Sequence, residues 1–272
     1  MNAIGNPWTF TASHLEMFFG DQLLASGSGF FWKDGERTFL VSNWHNFSGI
    51  NPTTGQPLSS SGGRPTKIQF SAFKKMSEED EKGFFELNSA TITIRICADD
   101  LSLPVWLEHP KFGKAVDVAV LDVTKPVRGL HIMHANTVEA DAVLEPSASQ
   151  EVFIIGFPLG RLTRVPTPIW KRGSIATEPT YDPNDLPSIY VDTASRTGMS
   201  GSMVIARHTV VGKSVTRKDG SESNTYLYAI QDVFLGVYSG RLGADEFKAQ
   251  LGIVWKRQVL EEIISAGVPP NI

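Results

Sequence analysis

The chain has 272 residues, 41% of them hydrophobic and 20% charged, the balance of an ordinary globular protein with room for one large all-β domain or two small lobes. Its 25 basic and 29 acidic side chains give a formal charge of -4, which excludes a broad basic field for nucleic acid. Cys97 is the single cysteine, so no intrachain disulfide forms, and this points to a reducing compartment, the cytoplasm.

Residues 1–22 read as an N-terminal extension without the basic start and apolar core of a secretory leader. Within it, residues 9–19 are expected to form a short helix capped by Thr11 or Ser13. Strand-like sequence follows. Leu23–Trp32 and Arg37–Trp44 flank Lys33-Asp34-Gly35-Glu36, and the Asp-Gly pair suits the positive φ angles of a tight hairpin turn. Residues 48–66, rich in Ser, Gly, Pro and Thr, predict a long loop. Lys74–Gly83 reads as a solvated charged patch, either a hairpin tip or a short helical turn.

Further strands are expected at 90–98, 116–123, 151–157, 170–176, 189–193, 202–206 and 229–237, separated by short turn-rich segments, as in a barrel or sandwich. Cys97 falls in the first of these and is expected to be a buried, inert thiol. No run approaches the roughly 20 apolar residues of a membrane span. Asp245–Ala266 carries Phe247, Leu251, Val254, Val259 and Ile263 at helical spacing. Gly267 and Pro269-Pro270 then stop the predicted C-terminal helix.

Three segments carry candidate chemistry. In Thr197-Gly198-Met199-Ser200-Gly201-Ser202, glycines on both sides of Ser200 suit a tight exposed turn. There the amides of Gly198 and Ser200 are able to converge as an oxyanion hole. Thr38–Trp44 is an apolar strand leading to His45, where a general base would sit on a rigid element. Asp117 opens Asp117-Val118-Ala119-Val120-Leu121, where its carboxylate can orient an imidazole. Each signal is weak alone: glycine-flanked serines, lone histidines and strand-capping aspartates are common. Their occurrence together, in the order His, Asp, Ser, is the informative pattern. His131 and His134 face opposite sides of an expected strand and make a poor metal pair. His14, His109 and His208 fall in an expected helix, turn and hairpin loop. No cofactor or metal is expected.

From about Gly27 to Arg241 the chain resembles trypsin-like serine peptidases of the chymotrypsin-fold superfamily, close to disulfide-free bacterial and phage-type members. The resemblance rests on Leu40–His45, Val116–Val120, Gly198–Ser202, Gly156-Phe157-Pro158-Leu159-Gly160 and Gly236–Arg241. It implies two antiparallel six-stranded β-barrels, at 23–140 and 141–243, with the site between them and a helix and tail at 244–272. It also implies a Ser200 nucleophile, His45 as base and acid, and Asp117 orienting His45. Ala194 would lie at the base of an uncharged primary pocket, with Tyr238 and Arg241 near it. Ser239, Gly240 and Arg241 would bind a protein or peptide substrate as an extended strand.

Many relatives carry an activation aspartate where this chain has Met199, so activity without N-terminal cleavage is expected. No trailing peptide-binding module is expected after Arg241. The rival reading from another class is an inactive relative that binds peptides or proteins. An α/β-class esterase is disfavoured because its histidine comes last in the chain.

Overall fold

The computed structural model describes residues 5–81, 85–98, 103–139, 145–160, 167–194, 197–216, 222–242 and 250–272, with backbone alone at 210–216 and 222–229. Its first lobe contains β1 (Ala12–Phe19), β2 (Gln22–Asp34), β3 (Arg37–Ser42), the one-turn α1 (Trp44–Ser48), β4 (Lys67–Lys75), β5 (Leu87–Arg95) and β6 (Ala119–Asp122). Its strands form one antiparallel sheet in the order β5-β4-β1-β2-β3-β6. After the short α2 (Ala135–Val138), the second lobe contains β7 (Glu151–Gly156), β8 (Ile169–Ile175), β9 (Ser188–Asp192), β10 (Met203–Thr216), β11 (Glu222–Arg241) and β12 (Leu251–Lys256). These six strands close a barrel, and α3 (Arg257–Ala266) follows.

Period-2 alternation within single strands builds three cores. Phe31 and Leu40 point into the first lobe with Leu15, Met17, Trp44, Phe70 and Trp106. Their neighbours Phe30, Trp32, Phe39 and Val41 point the other way, into an inter-lobe core shared with Ile155, Met203, Ile205, Phe234 and Leu260. In the second lobe, Val152, Ile154, Val204 and Ala206 face the barrel interior with Val191, Tyr238 and Val254. Strands buried on both faces read as continuous apolar runs, which is why Phe30-Phe31-Trp32 and Phe39-Leu40-Val41 carry no alternation.

Several expectations are corrected. The helix expected at 9–19 is a 3-10 turn at Pro7–Phe10 followed by β1, an interior strand between β4 and β2. Leu15 and Met17 are two apart and share the first core, while the presumed cap Ser13 is buried and donates to the Ser71 carbonyl 2.7 Å away. The first sheet therefore begins at Ala12, within the expected extension of residues 1–22.

The helix expected from Asp245 is β12 and only then α3 (residues 243–249 lie outside the described residues). Gly252 accounts for the strand: a Cβ there would lie 2.4 Å from the Tyr238 ring across the β11–β12 pair. The charged patch read at Lys74–Gly83 is, where it is described, the solvated tip of the β4–β5 hairpin: Lys74 and Lys75 end β4 and residues 76–81 are exposed, while Ile68, Phe70 and Ala72 earlier in β4 alternate into the core. His208 lies within β10 rather than in a loop, and Cys97 is half-buried just past β5. No helix among the described residues is long and apolar enough to cross a membrane.

The β11–β12 pairing depends on close backbone approach at Gly236, where a Cβ would stand 1.8 Å from the Trp255 carbonyl oxygen. Backbone cannot rotate away as a side chain can, so Gly236→Ala is expected to lower stability by about 2 kcal/mol or more. The measurement is a denaturant melt; an unchanged midpoint would refute the packing argument.

Candidate active site

β3 ends at Ser42, so the histidine expected at the end of a strand instead sits in the single turn of α1. That turn is closed by Gly49 at φ +69°, the left-handed conformation glycine tolerates, with its amide donating to the His45 carbonyl at 3.0 Å. Trp44 anchors one side of the turn in the first core, and its Nε1 donates to Glu108 Oε2 at 2.6 Å. Asn46 anchors the other side. Its Nδ2 donates to Ser42 Oγ at 2.9 Å and to the Ser200 carbonyl at 3.2 Å.

Asp117 lies just before β6, between Val116 and Val118, both fully buried. The aspartate itself is 4% exposed. A buried carboxylate needs donors, and it has three. Oδ1 accepts the His45 backbone amide at 2.9 Å. Oδ2 accepts His45 Nδ1 at 2.7 Å and Ser239 Oγ at 2.5 Å. Asn43 Nδ2 donates to the Asp117 carbonyl at 2.6 Å, fixing the backbone as well.

Burial pulls the His45 pKa down, but the Asp117 charge and hydrogen bond outweigh it, and the net shift is upward from 6.5. With the proton of the neutral imidazole held on Nδ1, the lone pair is on Nε2. Relative to an unfolded chain titrating near 6.5, the raised pKa stabilises the fold below that pH. This contribution fades as pH rises through the folded-state value.

The segment 197–200 is held through four successive carbonyls. Thr197 O accepts the Leu159 amide at 2.8 Å, Gly198 O accepts Ser28 Oγ at 2.8 Å, and Met199 O accepts the Ser202 amide at 3.0 Å. Ser200 O accepts the Ser28 amide at 2.9 Å as well as Asn46. In a planar trans peptide the N–H points opposite to the C=O. Pinning the carbonyls of Thr197 and Met199 therefore aims the amides of Gly198 and Ser200 away from those contacts. Neither amide donates a hydrogen bond among the described residues. Gly198, at φ +92°, has room only for hydrogen, since a Cβ would lie 2.5 Å from the Phe157 carbonyl. Met199 is 1% exposed and packs in the second-lobe core, anchoring the segment by apolar burial.

The structure brings His45 and Asp117 into direct contact and places Ser200 against the His45 turn through Asn46. The Ser200 side chain is half-buried, and no hydrogen bond joins its hydroxyl to the imidazole. Ser239 touches Asp117, Gly240 follows at φ +108°, and Arg241 and Ala194 are exposed. Tyr238, expected to line the pocket, is instead 1% exposed inside the barrel, where the tight contact at Gly252 holds its ring. His109 Nε2 pairs with Glu262 at 2.6 Å, and His134 Nε2 lies 3.0 Å from Thr38 Oγ1. Among the described residues no three His, Cys, Asp or Glu side chains converge as a metal site.

Sequence reasoning missed Ser28, Ser42 and Asn46. Ser28 is fully buried; its hydroxyl donates to Gly198 O and accepts the Phe157 amide at 2.8 Å, and its carbonyl accepts Ser42 Oγ at 2.7 Å. A signal was present in Gly27-Ser28-Gly29. A Cβ at Gly27 would lie 2.9 Å from Asn46 Nδ2, and one at Gly29 would lie 2.8 Å from the Val41 carbonyl. Glycines that admit such neighbours mark a strand approached closely on both sides.

Comparisons with known proteins follow this geometry. Among solved structures, the serine endoprotease from Yersinia pestis superposes with a TM-score of 0.48 at 12% identity, covering 94% of this chain. The chain spans 62% of that protein's length. An inactive serine-to-alanine mutant of Rv3671c from M. tuberculosis H37Rv superposes at 0.47 with 13% identity, covering 96% of this chain and 90% of that one. No curated protein matches the chain. Residues 27–212, which hold every element from β3 to β9 together with His45, Asp117 and Ser200, match the family model described as a trypsin-like peptidase domain, and the chain belongs to that family.

Proposed function

We propose that the protein is a serine endopeptidase acting through His45, Asp117 and Ser200. The observation that carries this reading is the segment 197–200, with its four carbonyls engaged and the amides of Gly198 and Ser200 left without acceptors, next to an imidazole held by a buried carboxylate. His45 Nε2 takes the Ser200 proton as Oγ attacks the scissile carbonyl. The oxyanion of the tetrahedral intermediate is received by the Gly198 and Ser200 amides. Its collapse breaks the C–N bond, the imidazolium gives its proton to the leaving amine, and the acyl group stays on Ser200. Water then repeats the sequence and releases the acid. Catalytic hydrogen bonds commonly tighten only when substrate is bound, and the bond between the Ser200 hydroxyl and His45 is expected to form at that stage. Ser239, Gly240 and Arg241 bind the acyl side of an extended peptide, and Ala194 lies at an uncharged primary pocket. Because Met199 supplies the anchor, the chain acts without prior N-terminal cleavage.

Labelling with a fluorophosphonate probe is expected to modify Ser200 in the intact chain and to vanish in Ser200→Ala, with turnover lost by roughly 10⁶-fold. Folded wild type that resists the probe would favour an inactive peptide-binding relative. Because protonated His45 is unable to accept a proton, kcat/KM is expected to fall as pH drops through a value above 6.5. In Asp117→Asn, burial of the ring would dominate and move that limb below 6.5. A pH–rate profile with the same acid limb in both proteins would contradict the His45–Asp117 pairing.

Ser28→Ala leaves the Gly198 carbonyl and the Phe157 amide without their partner, at about 1–3 kcal/mol of stability each. It also frees the oxyanion segment, with an expected loss of about 10²-fold in kcat. Purely structural damage would instead lower the active fraction, read by probe titration, and leave the rate per labelled site unchanged.

A further inference from the structure

His109 is 2% exposed and takes no part in the chemistry proposed above. It stands in a loop whose two ends pair with each other. The Leu107 amide donates to the Val120 carbonyl at 2.8 Å, and the Val120 amide donates to the Leu107 carbonyl at 3.1 Å. Asp117 lies in the closing limb of that loop, shortly before Val120.

The His109 ring is engaged at both nitrogens. Nδ1 accepts the backbone amides of Lys111 at 3.2 Å and Phe112 at 3.1 Å. A ring nitrogen that accepts cannot carry the proton, so the proton of the neutral imidazole is on Nε2. Nε2 therefore donates to Glu262 Oε2 of α3, 2.6 Å away. The ring also packs on Phe112, with centroids 5.0 Å apart, and Phe112 rests against the inter-lobe core. The His109 carbonyl accepts the Gly113 amide at 2.9 Å, and the Gly113 carbonyl accepts the Val116 amide at 3.2 Å. A bonded path thus runs from His109 to the residue before Asp117.

α3 is a firm support for this path. Its Val259, Leu260 and Ile263 are fully buried in the inter-lobe core. After the helix, the Val268 carbonyl accepts the Glu108 amide at 2.9 Å. The Glu108 carboxylate in turn holds Trp44, next to His45, through the 2.6 Å bond from Nε1. Two adjacent residues therefore serve the two members of the buried pair: Glu108 the turn of His45, His109 the loop of Asp117.

We infer that His109 is a positioning residue of the catalytic site, which fixes the loop bearing Asp117 through Nδ1 and ties that loop to α3 through Nε2. This rests on the reading of His45, Asp117 and Ser200 as one catalytic set. The effect reaches the reaction through the Asp117 carboxylate, whose contact with His45 Nδ1 holds the imidazole pKa above 6.5. A looser loop weakens that contact, so the His45 pKa falls and the acid limb of kcat/KM moves to lower pH.

Three substitutions separate the two contacts. His109→Gln keeps a donor for Glu262 and loses the acceptor for the two amides. His109→Asn supplies a side-chain oxygen that accepts amides just ahead of it, as in an Asx turn, and loses the reach to Glu262. Glu262→Ala, at a side chain 50% exposed, removes only the outer partner. For each, kcat and KM are measured per fluorophosphonate-labelled site across pH, and the His45 ring is titrated by NMR. His109→Gln is expected to lower kcat by about 10-fold or more with KM little changed, and to move the acid limb and the His45 titration to lower pH. His109→Asn and Glu262→Ala, which lose only the contact with α3, are expected to lower kcat by about 3-fold, the low end of one hydrogen bond's net contribution, with a smaller shift in the same direction.

An unchanged kcat per labelled site and an unmoved His45 titration in His109→Gln would make the ring a purely structural part and overturn the inference. Equal losses in the Gln and Asn variants would overturn the role given to Nδ1. Should His109→Gln fail to fold, an unmoved acid limb in Glu262→Ala would overturn the inference instead. The NMR titration does not need Ser200. Wild type that resists the probe would remove the serine reading, while a lowered His45 titration in His109→Gln would still uphold the positioning of Asp117.

Discussion

Ser28 is the point through which the two lobes hold one another in register. It belongs to β2 of the first lobe, yet its amide and hydroxyl reach the carbonyls of Ser200 and Gly198 in the second. The hydroxyl accepts the Phe157 amide from the turn after β7, and its own carbonyl accepts Ser42 Oγ from the strand leading to His45. Ser28, Ser42, Phe157 and Gly198 are buried here, so a donor or acceptor among them that loses its partner faces the cost of desolvation. Gly201 shows how close the approach is: a Cβ there would lie 2.1 Å from the Ser28 carbonyl. A serine at 28 and glycines at 198 and 201 are thus parts of one steric arrangement.

The inter-lobe core gives that junction a rigid seat. Because Phe30–Trp32 of β2, Phe39–Val41 of β3, Val152–Ile155 of β7 and Met203–Ala206 of β10 have side chains packed on both faces, each presents one row to its own lobe and the other to the boundary. Phe30, Phe39, Met203 and Phe234 meet there with α3 packed alongside. His45 and Asp117 are carried on first-lobe elements whose neighbours Trp44 and Val118 are fully buried, and Ser200 follows Met199, buried in the barrel. Interiors packed at this density resist displacement, which suits groups whose usefulness depends on tenths of an ångström. The electrostatics follow the same logic. Asp117 keeps its charge out of water by accepting three hydrogen bonds, and the imidazole beside it gains proton affinity despite its own burial.

Much was legible from the chain alone, and the reasons are local. Asp34-Gly35 announced the β2–β3 turn because few residues besides glycine accept φ +55°. The strands at β5, β7, β8 and β9 showed in short apolar runs between turn residues, and the β-rich class followed from them. His45, Asp117 and Ser200 stood out because each sits beside an apolar strand or between glycines. Where local signals were ambiguous, the reading failed. In β1, Thr11 and Ser13 resemble helix caps, and in β12 the apolar spacing fits a helix as well as a strand. Propensity yields in both places to a neighbouring strand with free hydrogen-bonding edges, something visible only in the assembled sheet.

The sequence by itself determined the β-rich class, the order of His45, Asp117 and Ser200 and the glycines that let the turn around Ser200 form, because these depend on residue type and near neighbours. Tertiary structure alone decided which other side chains serve them. Ser28 meets Gly198 across 170 residues, Asn46 meets Ser200 across 154, and Ser239 meets Asp117 across 122. It also took Tyr238 out of the expected pocket and into the barrel. Contacts between such distant residues are set by how two lobes pack, and packing is a property of the whole chain.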